Sequence, residues 1–239
     1  QGAYFRTEMT REVAAACSAA VAAGVGDILV KDAHGSGRSI DPSALPRQAR
    51  LMRAWTKDPC VMMAGLDASY GGVAFIGYHS AAGTNGNPLA HTLETNNTAI
   101  IINGDLASEF VINAYTAAYV GVPVLLLAGD EALCTAAATI NPAIRTVAVS
   151  TGNGGASVSI HPDLAHERIA GAMTEALSLP PENFRVPLPD RFKVTVRFKE
   201  HYLAHRGSFY PGTRKTGPLE VTYTSTDWGK VLAFLFFVV

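Results

Sequence analysis

The chain has 239 residues, of which 48% are hydrophobic and 16% charged, so disorder is excluded and the length suffices for a core without staples. Nineteen basic against twenty acidic side chains leave a net charge of −1, which offers no footprint for nucleic acid and no polybasic membrane anchor. Three widely spread cysteines, Cys17, Cys60 and Cys134, fit a reducing compartment better than a disulfide scaffold. The longest strongly apolar stretch, Val231 to Val239, is about half of a bilayer crossing. With no signal peptide opening the sequence as given, a cytoplasmic globular protein is expected.

In chain order, Met9, Val13, Cys17 and Val21 recur every four positions in an alanine-rich background and predict a helix that stops at Gly24 or Gly26. A short strand is expected over Asp27–Asp32, followed by the loop His34–Ser39. Further β-prone runs cover Val73–Tyr78, Thr98–Asn103, Pro123–Leu127 and Arg145–Val149. Helical patterns fall near Ala107–Val120, Glu131–Ala138 and Asp163–Leu177. Strands that are continuous apolar runs, alternating with helices, predict an α/β fold: a mostly parallel sheet with helices on both faces. Such domains commonly open with a central strand, whereas this sequence opens with a helix, so an initial strand is expected to be missing from it.

Four prolines between Pro180 and Pro189 mark a linker over 180–189, separating an α/β region, 1–179, from a smaller C-terminal α+β unit, 190–239. In that unit Phe192, Val194, Val196 and Phe198 alternate with polar residues, the pattern of a half-buried antiparallel strand. A second strand near Leu219–Thr224 and an apolar helix from about Thr226 complete it.

Histidines carry the chemical signal. His34 follows the first strand, His79 ends the run Val73–Tyr78, and His91 lies in the next glycine- and asparagine-rich loop. Ligands of parallel α/β sheets bind beyond the carboxyl ends of the strands, where these three could converge on a borderline metal such as zinc. Each alone fits better as a satisfied polar loop residue; taken jointly, the two readings weigh equally. Glu109 falls in the first turn of a helix, where an acid suits the helix dipole, the simpler reading; if that helix starts at the carboxyl edge of the sheet, the carboxylate points to the same rim as the histidines. Asp32 shares the side of the sheet of His34, as support for a ligand or as a simple turn acid. Thr151-Gly-Asn-Gly-Gly155 lacks the spacing of a phosphate cradle and reads as a mobile loop. His201 and His205 are four apart on what reads as a solvated face. No GxSxG elbow is present, so a serine nucleophile has little support.

Together, Leu29-Val-Lys-Asp-Ala-His34, Gly65-Leu-Asp67, Phe75-Ile-Gly-Tyr-His79, Ala90-His-Thr92, Glu109 with Asn113-Ala-Tyr115, and Val122-Pro-Val-Leu-Leu-Leu-Ala-Gly-Asp130 resemble the zinc-dependent D-aminopeptidases of the DppA type. Pro211-Gly-Thr-Arg-Lys-Thr-Gly217 resembles them more loosely. The resemblance implies hydrolysis of short peptides with a D-residue, typically D-alanine, at the amino end. It also implies two zinc ions per subunit and a ring-shaped homo-oligomer. Carried over by position, His34, His79 and Glu109 are zinc ligands, His91 is the catalytic histidine, and Asn113 lies near the site. Zinc-activated water would attack the amide while His91 moves the proton.

Two departures stand out. The family's Asp-x-Glu-Gly string, expected upstream of Gln1 on a first strand, is not in this sequence. The run Val149–Gly155 lacks the lysine and arginine found there in the family, which bears on how substrate or oxyanion is held. The alternatives are a non-catalytic assembly or binding protein on the same fold, and a metal-dependent amidohydrolase acting on a non-peptide amide.

Overall fold

The computed structural model describes residues 2–239. Its elements are α1 (Gly2–Ala22), β1 (Ile28–Lys31), β2 (Ala49–Met52), β3 (Val73–Tyr78), β4 (Asn97–Ile102), β5 (Asp105–Leu106), α2 (Glu109–Tyr119), β6 (Val124–Asp130), α3 (Glu131–Ile140), β7 (Arg145–Asn153), β8 (Ala156–Ser159), α4 (Pro162–Leu177), β9 (Phe192–Phe198), α5 (His201–Gly207), β10 (Arg214–Gly217), β11 (Glu220–Ser225) and α6 (Trp228–Val238).

The apolar run 124–130 is buried at every position, as a strand covered on both faces must be. As β6 it lies inside a sheet of order β3-β6-β7-β8, parallel except for β8. One face packs Leu127 and Phe75 against Phe110 and Ala114 of α2 and Leu133 of α3. The other packs Leu126, Ala128 and Val147 against Ala16 of α1 and Ile169 of α4. Helices therefore cover both faces, and the α/β class expected from the sequence holds. Beside this sheet, β1 and β2 form a separate parallel pair.

A second sheet, of order β10-β11-β9-β4-β5, is antiparallel. The inward residues of β9, Phe192, Val194, Val196 and Phe198, are fully buried with Ile100, Val221, Trp228 and Phe234, so its period-two pattern faces a real core. The sequence groups 98–103 with the parallel strands, and here the structure differs. Asn103 and Gly104, with φ of 54° and 106°, turn β4 directly back into β5. A two-residue turn with positive φ at both positions makes a hairpin, which leaves no crossover for parallel pairing. The other edge of β4 then takes β9.

Helix α2 is common to both cores. Phe110 and Ala114 enter one, Ile112 enters the other, and Thr116 Oγ1 accepts a 3.0 Å hydrogen bond from the buried indole of Trp228. Its first residue is thereby held from both sides. Where the sequence suggests a loop at 151–155, β7 runs on to Asn153 and only Gly154 and Gly155 turn the chain into β8, Gly154 with φ of 58°. In the proline-rich stretch, Phe184 and Val186 are buried against the parallel sheet. His201 and His205 lie exposed on α5. No helix among the described residues is long and apolar enough to cross a membrane.

Candidate metal centre

The end of β3 delivers His79, and the loop that follows returns past it with His91. Their rings lie 4.3 Å apart at 34°. Each ring is turned by a backbone carbonyl: His79 Nδ1 lies 3.0 Å from Ser80 O, and His91 Nδ1 lies 2.8 Å from Leu89 O. A carbonyl only accepts, so both Nδ1 atoms carry a proton, and in the neutral form of each ring Nε2 keeps the free lone pair. Metal-binding histidines are oriented by this kind of contact.

Glu109 opens α2, whose cap is Ser108, the hydroxyl accepting from Val111 N at 3.2 Å. The carboxylate is 7% exposed. Its Oε1 accepts from Leu93 N at 2.9 Å and lies 3.6 Å from His91 Nε2. One ligand atom from each of His79, His91 and Glu109 falls within 4.8 Å of the others; among the described residues no other three His, Cys, Asp or Glu side chains come together this way. Zinc bonds of about 2.0–2.1 Å at tetrahedral angles put ligands about 3.3 Å apart, so atoms spaced up to 4.8 Å must draw together to hold one ion. Two half-buried imidazoles with a buried carboxylate fit zinc in donor type.

The loop carrying His91 is anchored on both sides. Thr92, fully buried, donates from Oγ1 to Ala107 O at 2.9 Å and accepts from Ala82 N at 3.1 Å. Asn97 Nδ2 donates to Thr92 O and Glu94 O at 2.9 and 2.8 Å.

Asn113 lies one turn after Glu109 and donates from Nδ2 to Tyr78 Oη at 2.9 Å. Burial, and then the charge of Glu109, push the Tyr78 hydroxyl well above its ordinary pKa. Tyr78 is a residue that sequence reasoning quotes only as part of a string. It precedes a candidate ligand at the end of a strand, which was the available signal.

His34 is placed apart from the cluster, in the loop after β1. Asp32, 2% exposed, touches no imidazole there: its carboxylate accepts from Ser39 N at 2.5 Å, Ile40 N at 2.8 Å and His34 N at 3.4 Å. It thus organises the backbone of the His34 loop. Lys31 Nζ, donating to Ala54 O at 2.8 Å, and Trp55 Nε1, donating to Gly35 O at 2.9 Å, pin the same loop from outside.

Histidines and a buried carboxylate at the carboxyl rim of a parallel sheet are a donor set of the kind that metal-dependent hydrolases use. The chain belongs to the D-aminopeptidase family, whose model matches residues 1–237. It is 30% identical over 227 residues to the D-aminopeptidase of Bacillus subtilis (strain 168), an alignment covering 93% of this chain and 81% of that protein. It also superimposes on the structure of the Zn-dependent D-aminopeptidase DppA from Bacillus subtilis, a self-compartmentalizing protease. That match has a TM-score of 0.87 and 28% identity, covering 96% of this chain and 84% of the other. The protein is accordingly a metal-dependent aminopeptidase, with a mixed α/β fold like that of its structural neighbour.

Proposed function

We propose that this chain uses zinc to remove an N-terminal D-residue, D-alanine among them, from short peptides. The observation that carries the reading is the meeting of His79 and His91 with buried Glu109, both imidazoles presenting Nε2. His79 and Glu109 would hold zinc. A second ion, making two per subunit, would take His34 together with oxygen donors beyond this cluster. Bound zinc supplies a Lewis acid for the scissile carbonyl and acidifies water.

The remaining work falls to the protein. His91 Nε2, unprotonated while Nδ1 donates to Leu89 O, accepts the proton of the attacking water and passes it to the leaving amine. Glu109 Oε1, 3.6 Å from that nitrogen, stabilises the imidazolium between the two transfers. Leu93 N, donating to the same oxygen, keeps the carboxylate from following the ring. Asn113 and Tyr78 form the wall behind Glu109. The β7–β8 hairpin brings no lysine or arginine to the rim, so the substrate is held without a cation from that segment.

Support for self-assembly comes from the self-compartmentalizing neighbour, and the reading includes a homo-oligomer, ring-shaped, working in the cytoplasm. The test is a panel of D-Ala peptides, the matching L-peptides and simple amides, with zinc per chain and intact mass measured on the same sample. Cleavage of the D-peptides with two zinc ions per chain is expected. Activity on simple amides alone would replace the aminopeptidase reading with a general amidohydrolase.

A further inference from the structure

Asp130, the last residue of β6, is a buried carboxylate that the proposed chemistry does not use. It is 1% exposed, and its two oxygens are fully engaged. Oδ2 accepts from Ser80 N at 2.6 Å, while Oδ1 accepts from Ser80 Oγ at 2.5 Å and from Leu133 N at 2.9 Å. The third bond caps α3, as an aspartate at a helix start commonly does. The first two are not explained by the helix. They tie the carboxyl end of β6 to the residue immediately after His79.

Ser80 is in turn the residue whose carbonyl faces His79 Nδ1 at 3.0 Å. A continuous chain therefore runs from the Asp130 carboxylate through the amide and hydroxyl of Ser80 to its carbonyl, and from there to the imidazole. The second loop of the site rests on the same pair. Gly86 passes so close that an added Cβ would overlap Ser80 Oγ and the Ala132 methyl, and would come within 3.2 Å of Asp130 Oδ1. Gly86 O then accepts from Gly152 N of the β7–β8 hairpin at 3.0 Å. The loop that carries His91 is thus pressed between the hairpin and the Ser80–Asp130 pair.

We propose that Asp130 is a positioning residue of the metal centre, acting through Ser80 to set the tautomer and direction of His79 and, through the Gly86 contact, the seat of the His91 loop. The inference rests on the metal-centre reading above. Partners one step removed from a metal ligand carry about 10–100-fold in metal affinity or activity. A cap alone carries stability but no metal affinity.

Asp130→Asn leaves one carbonyl oxygen for three donors. Two readouts separate positioning from scaffolding: zinc affinity by competition with a chromophoric chelator, and imidazole 15N shifts of the zinc-free protein. We expect zinc affinity to fall by about 10–100-fold. The His79 signals should move from a single Nδ1-protonated form toward a mixture of tautomers. Asp227→Ala, which removes the side-chain cap of α6, should lower the melting temperature and change neither readout. Ser80→Ala, which keeps the amide bond to Asp130, should give a smaller loss, and Ser80→Thr should restore affinity. These serine variants decide the matter if Asp130→Asn does not fold. Unchanged affinity and an unchanged His79 tautomer in a folded Asp130→Asn, or in Ser80→Ala where it stands in, would overturn the proposal. If the wild type itself takes up no zinc, the metal-centre reading fails, and the nitrogen shifts of the metal-free protein alone decide whether Asp130 governs His79.

Discussion

At the scale of single residues, His79 and His91 are near neighbours, each with Nδ1 on a backbone carbonyl, yet the proposed mechanism gives them different work. His79 is closely tied, since its carbonyl partner belongs to the next residue, and that residue is clamped to Asp130. His91 is more accessible, with its side chain 35% exposed, and it points Nε2 at a carboxylate already held by Leu93 N. A group that must gain and lose a proton with each turnover needs access to solvent and substrate; a permanent ligand does not. His91→Ala should therefore lower kcat by about 10²–10⁴-fold, the usual contribution of a positioned acid–base group. Zinc content should stay at the wild-type level. Elemental analysis beside a rate assay checks both, and loss of zinc in the variant would make His91 a ligand. Both histidines and Glu109 were legible in the sequence, because strand ends and a helix start are visible there. The carbonyls that choose the tautomers were not, since Ser80 O and Leu89 O act through main-chain geometry that no side-chain pattern encodes. Asp130 was visible only as the end of a string, although an acid three residues before Leu133 is itself the mark of a capped helix.

At the scale of elements, strands with a plain side-chain pattern were legible, whereas the partner each strand takes was not. The alternation of β9 is plain from Phe192 to Phe198, and the buried run of β6 is equally plain. The sheet that receives β4 was hidden, because it depends on a hairpin at Asn103–Gly104 and on a partner some ninety positions later. Short β2 and β10, with Arg50 and with Arg214 and Lys215, carry too little apolar pattern to read as strands. The packing of α1 on α4 has a charge consequence that periodicity also conceals. Burial, and then the nearby Glu8, push Glu12 from its ordinary value up to about 7. Glu8 in turn lies 3.4 Å from His166 of α4. The folded state thus holds a proton on Glu12 that the unfolded chain releases near 4.5. Its contribution is fully present below pH 4.5 and is lost as pH rises toward 7. Glu12→Gln keeps the site neutral at every pH. It should match the wild type in urea unfolding at pH 4.5 and gain stability by pH 8. The ceiling is about 3 kcal/mol, and water reaching the partly exposed side chain reduces it to about 1–2 kcal/mol. Equal stabilities at pH 8 would show that α1 accommodates the charge.

At the scale of the whole molecule, the candidate metal centre sits where the two sheets are joined. His79 extends the parallel sheet, while Glu109 begins α2, the helix whose side chains enter both cores. The loop between β3 and β4, which carries His91, runs from one sheet to the other. An ion held by His79 and Glu109 would join the parallel sheet to α2 in the folded state and would find no such arrangement in the unfolded chain. Its free energy therefore adds to that of folding, at about 4 kcal/mol when free metal exceeds the dissociation constant about a thousandfold. For a chain of this length, each kcal/mol moves the midpoint by about 2–4 °C. Stripping the protein with a chelator should thus lower its melting temperature by roughly 10 °C. Added zinc should restore it; magnesium, which prefers all-oxygen octahedral sites, should not. Calorimetry of the stripped, zinc-restored and magnesium-treated protein measures the three states directly. A midpoint indifferent to zinc would mean that the ion does not join the parallel sheet to α2, and the stability of the junction would then rest on α2 and its bond to Trp228 alone.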